Sequence, residues 1–188
     1  MIKFLDLKKQ YVSISDEIDT AIFDVIGNSS YIGGEQVSKF EMEFAKYVSV
    51  KHCIGVANGT DAIEIALKSL NLKPGSEVIV PANSFISTSE AVTNSGHSVV
   101  FCDICPDSCN IDVSDLKKKI TENTKAIIVV HLYGLPAPIE ELIDLSKKNE
   151  IKILEDCAQA HGATVNGKHV GSLGDIGTFS FYPGKNLG

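Results

Sequence analysis

The apolar positions of this chain switch between helical and extended spacing. Ile18, Ile22, Val25 and Ile26 recur at helical intervals, as do Phe40, Phe44 and Tyr47, which predicts two amphipathic helices near the start. A short apolar run, Cys53 to Ala57, reads as a strand and leads into Asn58-Gly59-Thr60-Asp61. Ile63, Leu67 and Leu70 then share a helical face, and Lys73-Pro74-Gly75 stops that helix. Strands are predicted at Glu77 to Val80, Ser98 to Cys102, Ala126 to Val130, Ile151 to Glu155 and Ile176 to Phe181. Helices are predicted to include Thr88 to Thr93, Val113 to Ile120 and about Ile139 to Lys148, with a short turn or helix at Ala158 to Ala163. Such β-α-β-α order predicts an α/β fold with a mainly parallel central sheet and helices on both faces. In such sheets ligands gather beyond the carboxyl ends of the strands.

Composition narrows the function classes. The chain has 188 residues, a net charge of −7 and 44% hydrophobic residues. That length suffices for a core without disulfide staples. The acidic balance argues against nucleic-acid binding. No apolar run is long enough to span a bilayer. The start, Met1-Ile2-Lys3-Phe4, shows no secretory pattern, and five cysteines without one fit a reducing cytoplasm. All 17 basic residues are lysines. An anion site must therefore use backbone N–H groups, hydroxyls, Lys or a second chain, because no guanidinium fork exists. Cys102, Cys105 and Cys109 have no second Cys or His pair at ligand spacing, so no metal is expected.

Three predicted strand ends carry polar groups. Asn58-Gly59-Thr60-Asp61 opens a helix, where unpaired N–H groups and the Thr60 hydroxyl suit a phosphate. A plain N-cap explains the same residues. Asp156 follows the apolar strand Ile151 to Leu154, with Gln159 and His161 nearby. A semi-buried carboxylate there needs a cationic or N–H partner. Lys185 follows the last strand, five residues after Ser180. No G-x-G-x-x-G, P-loop or G-x-S-x-G motif is present. An amine, a carboxylate and a phosphate cradle together are what a pyridoxal phosphate (PLP) site requires.

These motifs resemble the DegT/DnrJ/EryC1/StrS sugar aminotransferases, PLP enzymes of fold type I. The resemblance rests on Phe4-Leu5-Asp6-Leu7, Tyr31-Ile32-Gly33-Gly34, Asn58-Gly59-Thr60-Asp61-Ala62, Val80-Pro81-Ala82-Asn83-Ser84-Phe85, Val130-His131-Leu132-Tyr133-Gly134, Glu155 to Gly162 and Phe179 to Gly188. It implies that Lys185 anchors the cofactor covalently and that Asp156 pairs with its ring nitrogen. Gln159 would bond the ring's phenolic oxygen. Gly59, Thr60, Asp61 and Ser180 would hold the phosphate, and Phe85 would stack on the ring. Tyr31, His161 and Tyr182 are candidate substrate contacts, and His131 is read as structural. The Phe181-Tyr182-Pro183-Gly184-Lys185 ending looks most like the branch that aminates dTDP-linked 3-keto-6-deoxyhexoses. The 4-keto branch more often has His-Pro before its lysine. The resemblance further implies L-glutamate as donor and a homodimer.

The family is about twice as long as this chain. The expected organisation is therefore an incomplete large domain: a helical segment over 1–50 and a β/α core over 51–188, without the small C-terminal domain. A catalytically inactive truncated product is the competing expectation.

Overall fold

A computed structural model describes residues 2–188 of the chain. It divides into two units, one ending at Gly55 and one spanning Val56–Gly188. The first contains α1 (Leu7–Gly27) and α2 (Glu35–Val48). Asp6 caps α1 by accepting the Lys9 N–H, and Ser49 ends α2 in the left-handed conformation. Phe44, Ala45 and Val48 are buried on α2, whereas α1 buries no residue.

The second unit is the β/α core. It runs α3 (Gly59–Ser69), β1 (Glu77–Pro81), α4 (Ser87–Asn94), β2 (Ser98–Cys102), α5 (Val113–Lys119) and β3 (Thr124–Val130). It continues through a 3-10 turn (Leu132–Gly134), α6 (Ile139–Asn149), β4 (Lys152–Asp156), a small hairpin β5–β6 (Thr164–Val165, Lys168–His169) and β7 (Ile176–Thr178). Five strands form a parallel sheet in the order β2-β1-β3-β4-β7. The α/β class and the parallel sheet are as the sequence predicts.

Strand alternation divides the core into two layers. Val78, Val80, Ile128 and Leu154 pack with Ile63, Leu67, Ala91 and Val92 of α3 and α4. Ile79, Ile127, Val129 and Ile153 pack with Leu116, Ile139 and Leu142 of α5 and α6. The inner strands β1, β3 and β4 are buried on both sides, which is why they read as apolar runs. The same alternation sends Asp156 to the α3/α4 side and Glu155 to the α5/α6 side.

Two predicted strands differ. Residues 52–58 form no strand, because among the described residues no backbone pairs with them. The last strand ends at Thr178 rather than Phe181. Among the described residues its only neighbour is β4, whose final pair is Asp156 with Thr178. Beyond it Phe179 leaves the ladder and packs against the buried Cys157, Ala160 and Val170. Ala158 to Ala163 is a turn without helix. The β5–β6 hairpin was missed, although Asn166-Gly167 signals it. Both residues have positive φ (50° and 77°), as a type I′ turn requires.

Candidate active site

Register brings the polar strand ends to one level. Val130 pairs with Asp156, and Asp156 with Thr178, so the ends of β3, β4 and β7 lie side by side. The order reverses between β1 and β3, and sheets of this kind bind ligands beyond the carboxyl ends at such a point.

Asp156 is buried at the end of β4. Its Oδ1 accepts the Ala158 N–H at 3.1 Å, and its Oδ2 accepts the Thr88 hydroxyl at 3.3 Å. Thr88 has one proton, so Ser84 must donate to the Thr88 oxygen across 2.7 Å. Burial pushes the Asp156 carboxyl above the ordinary range; the Ala158 amide, the Thr88 hydroxyl and the charge of Lys185 oppose this. Neutral donors alone do not offset that burial. Among the described residues no cationic side chain forms an ion pair with Asp156, and a protonated ring nitrogen would supply one. The donor set thus fits PLP.

Lys185 follows β7 by a turn closed by its own N–H on the Tyr182 carbonyl at 2.7 Å. It is half-buried, and its charge is felt by both Asp156 and His161. His161 sits with ring centroids 5.3 Å from Phe179 and 5.2 Å from Phe181. Burial and then the Lys185 charge press its pKa below the usual value, which favours neutral imidazole.

The start of α3 meets Ser180. A Cβ on Gly59 would stand 2.9 Å from the Ser180 Cβ and 3.3 Å from its Oγ. Asn58 caps the helix by accepting the Asp61 N–H at 2.9 Å, so that amide is committed to the cap. The amides of Gly59 and Thr60 lack intrahelical acceptors, as at any helix start. The Thr60 and Ser87 hydroxyls are 2.7 Å apart. Phosphate cradle and N-cap are therefore compatible here. The Gly59→Ala protein should bind PLP roughly tenfold more weakly, about 1.4 kcal/mol, because Ser180 or the helix start must shift. Fluorescence titration measures this; unchanged affinity would show that the phosphate is held elsewhere.

Gln159 accepts the Tyr133 N–H through Oε1 at 2.8 Å. Its amide NH₂ is thereby left to donate, as a ring oxygenate requires. Phe85 is 71% exposed after β1, and Tyr182 is exposed beyond β7. Tyr31 belongs to the first unit and is exposed.

Sequence reasoning missed Thr88 and Ser84 as partners of Asp156. The signal was the hydroxyl-rich stretch Ser84 to Ser89 just past a strand end. His131, read as structural, is fully buried.

Comparison with known proteins settles the lineage. The DegT/DnrJ/EryC1/StrS aminotransferase family matches residues 12–188. The chain belongs to that family. It is 46% identical over 187 residues to a UDP-N-acetyl-3-dehydro-alpha-D-glucosamine 3-aminotransferase of Acidithiobacillus ferrooxidans, covering 100% of this chain and 51% of that protein. It is 47% identical over 181 residues to the dTDP-3-amino-3,6-dideoxy-alpha-D-galactopyranose transaminase of Aneurinibacillus thermoaerophilus, covering 96% and 50%. The structure superposes with a TM-score of 0.97 and 41% identity on Streptomyces venezuelae DesV, solved with a ketimine intermediate, covering 100% of this chain and 50% of DesV. Structural neighbours have been solved with PLP or in a PMP form. The chain spans about half the length of these relatives. No helix among the described residues is long and apolar enough to cross a membrane.

Proposed function

We propose that this DegT/DnrJ/EryC1/StrS family member is a PLP-dependent aminotransferase of a nucleotide-linked keto sugar, with L-glutamate as amino donor. The observation that carries this reading is the buried Asp156 carboxyl, which has only neutral hydrogen-bond donors and lies within the field of Lys185. PLP, when bound, supplies a carbonyl that exchanges amines and a ring that takes up electrons.

In this reading Asp156 keeps the ring nitrogen protonated. Gln159 donates to the ring oxygen, and Phe85 covers the ring face. Gly59, Thr60 and Ser180 hold the phosphate; Asp61 contributes by fixing the helix start through its bond to Asn58. Lys185 anchors the cofactor and, once released, moves a proton between the donor's α-carbon and the cofactor carbon. Tyr31, His161 and Tyr182 are the candidate sugar contacts. The whole protein is a homodimer in this proposal. A cytoplasmic setting is supported by five free cysteines.

For the ring position we propose C3 of a dTDP-linked 6-deoxyhexose. Tyr182-Pro183-Gly184 precedes Lys185 where the 4-keto branch more often has His-Pro. The two relatives described above are both named for nitrogen at C3, one on a UDP and one on a dTDP carrier.

The test offers the whole protein PLP, L-glutamate and a matched pair of dTDP-linked 3-keto and 4-keto sugars. Release of 2-oxoglutarate with amination of the 3-keto sugar is expected. Amination of the 4-keto sugar alone would overturn the ring position. Amination of neither sugar would overturn the dTDP-hexose assignment, and amination of neither these nor their UDP-linked counterparts would overturn the function.

A further inference from the structure

Beside Asp156 the strand carries a second acid, Glu155, on the opposite face of the sheet. It is fully buried, as is His131. Ligand atoms of His131, Glu155 and Cys157 fall within 4.8 Å of one another, a spacing that a metal could use. The bonding closes that option. Glu155 Oε2 accepts from the Gly171 N–H at 2.8 Å and faces His131 Nε2 at 3.0 Å; Oε1 accepts from Leu173 at 2.8 Å and Gly174 at 2.7 Å. His131 Nδ1 accepts the Ala137 N–H at 3.0 Å, and a backbone amide can only donate. The ring proton therefore sits on Nε2 and points at Glu155. The carboxylate's four acceptor directions are all filled. Burial keeps the Cys157 thiol protonated, pushing its pKa well above the ordinary value.

We propose that Glu155, braced by His131, is a positioning residue that sets Lys185 and Gln159 against Asp156. The links are short and continuous. The Gly171–Gly174 loop held by Glu155 runs directly into β7, the strand that delivers Ser180 and Lys185. That loop also lies hard against β7, since a Cβ on Gly171 would overlap the Phe179 ring at 2.5 Å and one on Gly177 would overlap the Gly171 carbonyl. On the other side, the His131 N–H bonds the Asp156 carbonyl at 3.1 Å. His131 also precedes the 3-10 turn whose Tyr133 N–H orients Gln159. One buried carboxylate thus ties the end of β4, which carries Asp156 and leads to Gln159, to the loop and strand that lead to Ser180 and Lys185. Burial raises the pKa of Glu155, but His131 and the Gly171 and Gly174 amides outweigh it and hold the group below the usual value.

This inference rests on the PLP reading, so the test starts from the whole wild-type protein loaded with PLP. Glu155→Gln presents one oxygen and one NH₂ to four donors, so about half of the four bonds, at least one of them to the loop, must be lost. The expected result is a folded, cooperatively melting protein whose visible circular dichroism of bound PLP is altered. PLP release should be roughly tenfold faster, and kcat should fall by roughly 10- to 100-fold with KM for the sugar nearly unchanged. If Glu155→Gln does not fold, His131→Asn replaces it. The asparagine can still accept from Ala137 but withdraws one donor from Glu155, and the same readouts should move less. A folded variant with a lower melting temperature, but with wild-type cofactor dichroism, release rate and kcat, would overturn the inference and leave the pair a stability element. Wild-type protein that takes up no PLP would overturn the functional reading instead, before any variant is compared.

Discussion

Replacing Asp156 with Asn should separate stability from catalysis. Amination by the whole protein should fall by roughly 10²–10³-fold, because the ring nitrogen loses the charge that stabilises its proton. The cofactor-free protein should become more stable at neutral pH. The sign follows from linkage. Burial raises the folded-state pKa of Asp156 above the 3.8 of an ordinary aspartate. The folded state therefore binds the proton more tightly than the unfolded state, and stability falls as pH rises from 3.8 through the raised value. Asn carries no such dependence. The variant's advantage in melting temperature should be present at pH 7 and vanish below pH 3.8; each 1 kcal/mol is about 2–4 °C for a chain of this size. PLP should reverse the order, since its ring cation relieves the buried carboxylate of the wild type. Thermal melts with and without PLP at both pH values check this. A cofactor-free Asn variant less stable than wild type at pH 7 would mean that Asp156 already has a cation of its own.

Removing the Lys185 amine should have the larger catalytic effect. Lys185→Ala deletes both the anchor and the group that moves the α-proton, and proton transfer alone contributes roughly 10²–10⁴-fold. Stability should barely change, since Lys185 is half-buried and follows the last strand. A small primary amine added to the solution should restore part of the rate by taking over the proton transfer. Turnover near the wild-type rate would remove Lys185 from the reaction.

The parallel sheet was legible because its inner strands β1, β3 and β4 are buried on both faces. Val78 to Val80, Ala126 to Val130 and Ile153 to Leu154 read as apolar runs separated by helical spacing. What failed depended on partners that local pattern does not show. Cys53 to Ala57 is as apolar as a strand, yet no described backbone pairs with it. Phe179 to Phe181 looks extended, but β4 offers no pair past Asp156.

The site divides in the same way. Asp156, Gln159, Ser180 and Lys185 stand just beyond apolar strands, where a polar group needs a reason, and the family resemblance assigned each a role. Thr88 was not legible as a partner of Asp156, because 68 residues separate them and only the sheet order brings the start of α4 to the end of β4. Glu155 was passed over beside its more exposed-looking neighbour. Its donors lie 16 to 19 residues downstream in an irregular loop, and its His131 partner lies 24 residues upstream. A fully buried acid inside an apolar strand was itself the clue that several donors must converge on it.

The central claim is that Lys185 holds PLP over Asp156. The most direct measurement incubates the folded whole protein with PLP, reduces it with borohydride and maps the labelled peptide by mass spectrometry. The account predicts a pyridoxyl group on Lys185 alone among the 17 lysines of this chain, and its loss in Lys185→Ala. Label scattered over many lysines, or absent from protein shown to be folded, would contradict it.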